Sequence, residues 1–556
     1  MKDKRFTADR KRSGRRRERA TSPASSFLSG QLPWDPPVYS DPPVEPADAA
    51  GVEKIHDASM QILEDIGILF LNDEALAYLA KAGCKIDSNT KKVRMDRHWV
   101  MAQIARAPSM VTITPRNPDR RLHFGDRYFN FGQVASPPNV VDLDHGRRVG
   151  TREDVKSFLK LARPYDCIHF SCGYPVEPMD LHASTRHLDT LYDKLVLTDK
   201  VIHAYSLGTE RIEDAMEMVR LAAGLSHDEF ASAPRMFTNI NSSSPLKHDW
   251  PMLDGAMRMA ARNQMVVVAP FTLAGAMAPV TLAGAIALQN AEALAAIALL
   301  QTVRAGAPVM YGAFTSNVDM KSGAPAFGTP EYIRAMQLSG QMARYYNLPF
   351  RESNANAANL PDAQSVWESA FSLHGACSGG ANLIYHAAGW LEGGLSASFE
   401  KFVIDCEMLQ QIIYTQRPLV IDTPSLAVDA IAEVGPYGHF FGADHTQSRY
   451  RDAFYAPLLS DWRNFESWEE DGSVWTHQRA SIHFKRVLEE YEQPAMDDAA
   501  HDALIDFVGR RKREAASQPI FRQAPQGQER GGTSRHQYCR PKPPQQLRWH
   551  PPETGR

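Results

Sequence analysis

Residues 265–314 read MVVVAPFTLAGAMAPVTLAGAIALQNAEALAAIALLQTVRAGAPVMYGAF. An apolar run (265–271) gives way to an Ala/Leu-rich helical stretch (281–303), and a second apolar run (308–314) follows. Neither run alternates with polar residues, which is the mark of strands covered on both faces, and the helix between them makes a βαβ unit. The unit recurs in both directions. Upstream lie CIHFSCG (167–173), VIHAYS (201–206) and MFTNINSSS (236–244); downstream lie LPFRESN (348–354) and GANLIYHAAG (380–389). Helical spacing fills the intervals at 154–161, 181–195, 210–223, 331–346, 365–376 and 399–414. Seven sequential strand–helix alternations in about 250 residues favour a closed TIM-type (β/α)8 barrel over an open doubly wound sheet. The eighth strand is expected in NVVDLD (139–144) or beyond Pro418. No GxGxxG follows a strand and no GxxxxGK[ST] occurs, so nucleotide-binding signatures are missing.

Working outward, residues 51–148 read as a helical and hairpin cap packed on the barrel, with RRLHFGDRYFNFG (120–132) as strands joined by a Gly-Asp turn. The barrel core is assigned to 149–455 and a charged helical wrap to 456–509. Residues 1–50 form a basic run followed by a Pro-rich arm with Trp34 and Tyr39 as anchors. Residues 510–556, rich in Gln, Pro, Gly and Arg, follow neither a strand nor a helix period and read as a disordered basic tail.

Composition narrows the function. The chain has 556 residues, 43% hydrophobic and 23% charged, as in ordinary soluble globular proteins. Its net charge of −4, with +7 on residues 1–20 and +8 on 510–556, leaves −19 for residues 21–509. So acidic a body is a poor match for phosphate backbones, which argues against nucleic-acid binding. The 6 cysteines (84, 167, 172, 377, 406 and 539) form no CxxC and suit free thiols in a reducing compartment. The longest apolar run, Ala276 to Leu300, is interrupted by Thr281, Gln289, Asn290 and Glu292. With no signal-peptide pattern at the start, the expectation is a cytoplasmic protein without a membrane span.

A barrel of this type builds its site at the C-terminal strand ends. Those ends offer Cys172 and Tyr174; His203, Tyr205 and Ser206; Asn239 and Asn241; Phe271; Tyr311 and Phe314; Arg351 and Glu352; and Tyr385, His386 and Trp390. The set is aromatic and neutral-polar, poor in carboxylates, and without a metal-ligand set, since Cys172 and His203 have no third partner. Aromatic faces suit a quaternary ammonium, which has no N–H to donate, and a guanidinium fork suits a carboxylate on the same molecule. Candidate contacts are therefore Arg351 or His386 for a carboxylate and Tyr205, Tyr311, Phe314 and Trp390 for a cage. His203, Asn239, Asn241 and Glu352 are further candidates. Read singly, each aromatic is more often a core residue, and Arg351 has a ready ion-pair partner in Glu352.

Six blocks in one order resemble the trimethylamine methyltransferase family of corrinoid-dependent amine methyltransferases. They are IHDASMQILEDIGILFLNDEALAYLAKAGCKID (55–87), RNPDRRLHFGDRYFNFGQVASPPNVVDLDHGRR (116–148), PFTLAGAMAPVTLAGAIALQNAEALA (270–295), GAPVMYGAF (306–314), GTPEYIRAMQLSGQMARYYNLPFR (328–351) and GGANLIYHAAGWLEGG (379–394). The resemblance spans residues 50–510 and implies methyl transfer from a methylated amine to the Co(I) of a corrinoid held by a separate protein. The family-like cap and the Pro-rich arm lead to the expectation of a homo-oligomer, and the strand-end residues to that of no tightly bound metal. Founding members carry pyrrolysine in the barrel; its expected counterpart here, ESNANAANLPDAQ (352–364), has no Lys. The resemblance is thus to the non-pyrrolysine branch, which favours a quaternary amine such as glycine betaine. Gly275, Gly284 and Gly393 would allow close backbone or corrin approach, or serve plain helix and strand packing. A quaternary amine leaves as a neutral amine, which fits a site poor in acids and bases. Two other readings share the scaffold: a methyltransferase for another methylated small molecule, and a non-catalytic protein that binds methylated amines or docks the corrinoid protein.

Overall fold

The computed structural model describes Leu28 and residues 30–517; the basic run at 1–20 and the tail beyond 517, with Cys539, lie outside the described residues. Eight parallel strands form one sheet: β1 (Asn130–Gln133), β2 (Phe170–Ser171), β3 (Val201–Ile202), β4 (Phe237–Ile240), β5 (Met265–Val268), β6 (Val309–Gly312), β7 (Phe350–Ser353) and β8 (Leu383–Ala388). Each pairs with its sequence neighbour, β8 pairs with β1, and a parallel bridge between His203 and Phe237 joins β3 to β4. The sheet is a (β/α)8 barrel, and the eight crossover helices are α1 (Arg152–Ala162), α2 (Arg186–Leu197), α3 (Thr209–Ala222), α4 (Trp250–Ala261), α5 (Leu282–Val303), α6 (Pro330–Tyr345), α7 (Ala363–Ser378) and α8 (Phe399–Thr415).

The eighth strand lies in neither expected place. It is β1, the NFGQ of the segment assigned to the cap, so the barrel begins before residue 149. Asn130 and Gln133 disguise it, but both are fully buried, and the Asn130 amide donates to the carbonyls of His123 and Asn382. Gly132 permits the close approach of β2: a Cβ there would run into the Phe170 ring. NVVD does form a strand (Asn139–Asp142), in a separate four-stranded sheet with Gly146–Val149, Trp390–Leu391 and Ser396–Ser398.

The barrel interior is filled by Phe170, Val201, Phe237, Met265, Val267, Met310 and Leu383. A hairpin of Met110–Ile113 and Leu122–Gly125 adds Val111, Ile113, Leu122 and Phe124 to the same cluster and plugs the N-terminal end. The Pro-rich arm crosses that end on its own subunit. Pro37 O accepts from Phe129 N, and the Tyr39 hydroxyl donates to Ala381 O at 2.7 Å while its ring stacks on Phe129. Trp34 lies under the Arg120 guanidinium at 4.3 Å.

Helix α5 is long and apolar enough to cross a membrane, yet 83% of that stretch is buried within the fold. The polar residues that interrupt its sequence are its fasteners. Asn290 donates to Ser59 Oγ at 2.9 Å and Tyr346 Oη at 2.8 Å, and Glu292 accepts from Ser244 Oγ and Leu246 N, both at 2.6 Å. Beyond the barrel, helix Thr476–Glu489 packs along α8 and helix Asp498–Ser517 along α2 and α3. The second of these corrects the tail boundary. Residues 510–517 are helical, because Arg511 bonds Asp214 at 2.6 Å and Lys512 bonds Asp189 at 2.5 Å.

Candidate functional site

A cavity of about 420 Å3 opens at the C-terminal ends of the strands, a size suited to a small organic molecule. Its lining comes from seven of the eight strand ends: Ala135 and Ser136 after β1, Tyr174 after β2, and His203, Tyr205 and Ser206 after β3. Asn239 and Asn241 come from β4, Phe314 from β6, Arg351 from β7, and Tyr385, His386 and Trp390 from β8. Period-2 alternation puts them there. Val201, Phe237 and Leu383 face the barrel interior, so His203, Asn239 and Tyr385, each two residues on, face it one layer higher. A larger cavity, about 840 Å3, opens at the opposite end beneath Tyr39 and Pro42. It lies at the N-terminal strand ends, away from this convergence of aromatic and charged groups.

Arg351 is the most unusual residue of the lining. It is 2% exposed, Nη1 donates to Ala313 O at 2.8 Å, and Nε has no partner. Its guanidinium packs 5.1 Å from the Tyr385 ring centre and 5.5 Å from that of Phe314. No carboxylate among the described residues forms an ion pair with it. A buried cation in that state costs the fold several kcal/mol (roughly), which a bound anion would offset. Neighbouring Glu352 makes no ion pair with it: it lies outside the cavity, on the opposite face of β7, and although the two charges act on each other through the strand, burial pushes its carboxyl up to about 8.

The two histidines of the wall are uncharged. His203 Nε2 accepts from Asn239 N at 3.1 Å, so its proton sits on Nδ1. Burial first, then the charges of Lys194 and Arg351, holds its pKa well below the ordinary histidine value. Burial, then Arg351 and His203, does the same for His386. Two cationic imidazoles beside Arg351 would repel it, so both rings are neutral at pH 7. Beneath the cavity, Lys194 donates to the carbonyls of Cys172 and His203, and burial brings its pKa down to about 7. The Cys172 thiol is pushed up to about 12 by burial and is protonated at neutral pH.

Rings surround the space above Arg351. Tyr174 meets Tyr205 edge-on at 4.8 Å, His386 lies 4.1 Å from Trp390, and Phe314 lies 6.5 Å from Trp390. Tyr205 is fixed by its hydroxyl, which accepts from Tyr174 N at 3.1 Å and bonds Ser136. The Tyr385 hydroxyl accepts from Gly173 N at 3.0 Å. His386 reaches the cavity through a break in β8: its φ is +57°, and the register with β1 shifts between Ile384 and Ala388. Such backbone is strained for a non-glycine residue. Asn354 and Asn356 hold it, donating to Ala387 O at 3.0 Å and Trp390 O at 2.7 Å.

Eight of the sequence candidates thus meet around one cavity: Arg351, His386, Tyr205, Phe314, Trp390, His203, Asn239 and Asn241. Two do not. Tyr311 stands on the outer face of β6, bonded to Asn290 and Gln289 of α5, and Glu352 is the outward residue described above. The three glycines also lie off the lining. Gly275 turns the chain after Phe271–Ala274, Gly284 sits in the first turn of α5, and Gly393 follows Trp390–Leu391. Segment 352–364, the expected pyrrolysine counterpart, lines no part of the cavity either. Sequence reasoning missed Ser136, Glu177, Arg186, Arg211 and Met252, which belong to loops and helices beyond the strands. At the mouth Glu177 pairs with Arg186 at 3.2 Å, and Arg211 donates to Ala183 O at 3.1 Å. Among the described residues, Asp142, Asp144 and His145 are close enough to share a cation, but they lie outside the cavity, and Arg148 and Lys485 already pair with the two aspartates.

The model of the trimethylamine methyltransferase (MTTB) family matches residues 10–516. The chain belongs to this family. By that membership it is a methyltransferase. Among relatives, a glycine betaine methyltransferase of Desulfitobacterium hafniense (strain Y51) is 35% identical, over 84% of this chain and 97% of its own. A trimethylamine methyltransferase MttB from another strain of that species is 29% identical over 82% and 91%. A proline betaine:corrinoid methyltransferase of Eubacterium limosum is 28% identical over 82% and 96%.

Proposed function

We propose that the protein takes a methyl group from a quaternary amine bearing a carboxylate, glycine betaine or a close analogue, and passes it to a corrinoid on a partner protein. The observation that carries this reading is Arg351, a buried guanidinium with no carboxylate partner under a ring of aromatic faces. The family supports the reaction class and the named relatives support the substrate class.

Each part of the lining has work in that reaction. Arg351 takes the carboxylate through its planar donor fork. Phe314, Trp390, Tyr205 and Tyr174 hold the ammonium by their ring faces, each contact contributing about 0.5–2 kcal/mol. Held at both ends, the substrate keeps one N–CH3 bond in a fixed direction, which removes much of the orientational entropy from the barrier. The cavity suits a small amine and leaves no room for a corrin ring beside it, so the acceptor is met at the mouth. A corrinoid Co(I) supplies the nucleophile when bound. As the C–N bond breaks, its electron pair stays on nitrogen and the product is a neutral tertiary amine. No lining residue has to deliver a proton, which accords with neutral His203 and His386. The free thiols of the described cysteines accord with a reducing, cytoplasmic setting.

The test mixes the full-length protein with chemically reduced cob(I)alamin and a panel of methylated amines, reading the visible spectrum of the methylated product. Methylation by carboxylate-bearing quaternary amines is the expected outcome. Silence across the panel, repeated with a corrinoid protein, would favour the non-catalytic binding reading; activity confined to trimethylamine would overturn the substrate assignment.

A further inference from the structure

Helix α8 carries an ion pair, Lys401 with Asp405 one turn later, and both side chains are fully buried. Taking two charges out of water costs about what their attraction returns, so a packed apolar pair would hold the helix as well or better. Stability alone does not account for the pair, and its other hydrogen bonds show where it acts. Asp405 accepts from Gly389 N at 2.8 Å. On the far side Lys401 Nζ donates to Ser369 Oγ of α7 at 2.8 Å. Ser369 Oγ also accepts from Asn356 Nδ2 at 3.1 Å, and the same amide donates to Trp390 O at 2.7 Å. These bonds close a ring that runs from Gly389 N through Asp405, Lys401, Ser369 and Asn356 to Trp390 O. All four of its side chains are fully buried, and none lines the cavity.

We infer that the Lys401–Asp405 pair is a positioning device for the aromatic cage: it grips residues 389–390 from both sides and so sets the Trp390 and His386 rings against the substrate's ammonium. The inference rests on the reading of Trp390 as a cage wall. Three observations support it. The first is place. The ring encloses the exit of β8, where His386 has φ +57° and Gly389 φ +96°. Two left-handed residues in four take the chain off the strand ladder, and such backbone persists only where its surroundings hold it. The second is completeness. Asn354 takes Ala387 O, Val134 N takes Ala388 O and Ser398 N takes Gly389 O. The Gly389 N–H and the Trp390 carbonyl remain, and the ring takes both. The third is charge. A carboxylate binds the Gly389 N–H more strongly than a neutral amide would, and the buried cation beside it fixes the direction of that carboxylate. What is held is the wall itself, since the Trp390 ring centre lies 4.1 Å from that of His386. A shift of that wall by about 1 Å would turn the N–CH3 bond away from its acceptor, which can cost on the order of a hundredfold in rate.

Two double variants of the full-length chain separate positioning from stability. Lys401→Met/Asp405→Leu replaces the pair with apolar side chains and removes the Gly389 acceptor, whereas Lys401→Met/Asp405→Asn is also neutral but keeps it. With glycine betaine and cob(I)alamin, the first should match or exceed the wild-type melting temperature while kcat falls on the order of tenfold. Its dissociation constant for glycine betaine, measured by calorimetry, should change less than about twofold, because Arg351 is untouched. The second variant should recover part of the lost rate. Unchanged kcat in the apolar pair, or a fall that only tracks its folded fraction, would overturn the inference. Should neither variant fold, Ser369→Ala decides: it deletes one oxygen, leaves both charges paired and should lower kcat severalfold, and wild-type kcat would overturn the ring. Hydrogen exchange separates this inference from the substrate reading. The Gly389 amide should exchange at least about tenfold faster in the apolar pair than in the wild type, whichever amine the protein accepts. A wild type inert on every quaternary amine, with that faster exchange, would sink the substrate reading alone; unchanged exchange would sink this one.

Discussion

At the base of the barrel Ile113, Leu122 and Phe124 of the hairpin fill the space between the strands, and the Pro-rich arm is bonded across the strand starts. At the rim the same strands end around a cavity of about 420 Å3, with a guanidinium lacking an anion and a left-handed histidine at its edge. The base satisfies its own groups, and the rim leaves groups for something else to satisfy. Stability and function therefore reside at opposite ends of one set of strands, and substitutions at the two ends should give opposite signatures.

Phe124→Ala should have the largest effect. Truncating a fully buried phenylalanine in the plug should cost about 3–5 kcal/mol of stability, read by urea unfolding, with kcat per folded molecule little changed. Equal damage to kcat would break the division between the ends. Arg351→Ala is the mirror image. Losing the anion partner should lower kcat/KM for a betaine by about 3 kcal/mol, near a hundredfold, while stability stays level or rises because an unpaired buried charge has gone. A marked fall in its melting temperature would show Arg351 to be structural.

Acid sharpens the comparison through two histidines buried outside the cavity. His169 accepts from Phe131 N at 2.9 Å and His248 bonds Glu292 O at 3.1 Å; burial, the leading cause in each, brings their values down to about 3 and about 4. In the unfolded chain each takes a proton near pH 6.5; in the folded protein it does not, so the unfolded state binds more protons. Stability is full above pH 6.5 and should fall between there and pH 4 by about 1.4 kcal/mol per unit for each histidine. A flat unfolding profile from pH 6.5 to 4.5 would contradict this. Trp390→Ala should have the smallest effect, about 1 kcal/mol, seen as a several-fold rise in KM for quaternary amines. An unchanged KM would remove Trp390 from the cage.

The same contrast explains what could be read in advance. Seven barrel strands were legible because strands covered on both faces are apolar throughout; β1 was legible as a strand of the 120–132 segment but not as part of the barrel, because its Asn130 and Gln133 satisfy buried carbonyls and hydroxyls rather than water. That apolar continuity also erased parity. Nothing in VMYG or FRES marks which residues face inward, so Tyr311 and Glu352 were placed with Phe314 and Arg351 although their strands turn them outward. Arg351 itself was legible, since a guanidinium on a barrel strand needs a reason to be there. The unpaired state of that guanidinium was not, because the ready partner Glu352 sits beside it in sequence and across the strand in space. Segment 417–464 gave no period to read, because most of its large apolar residues are exposed and answer to no core within the chain.

The central claim is that Arg351 reads the carboxylate of a quaternary amine. The most direct measurement compares kcat/KM for glycine betaine and for tetramethylammonium, which lacks the carboxylate, in the wild type and in Arg351→Ala. The preference of the wild type for glycine betaine should collapse by about a hundredfold in the variant, with tetramethylammonium nearly unaffected. If both substrates lose equally, Arg351 holds the site together instead of reading the substrate, and the account of the cavity fails.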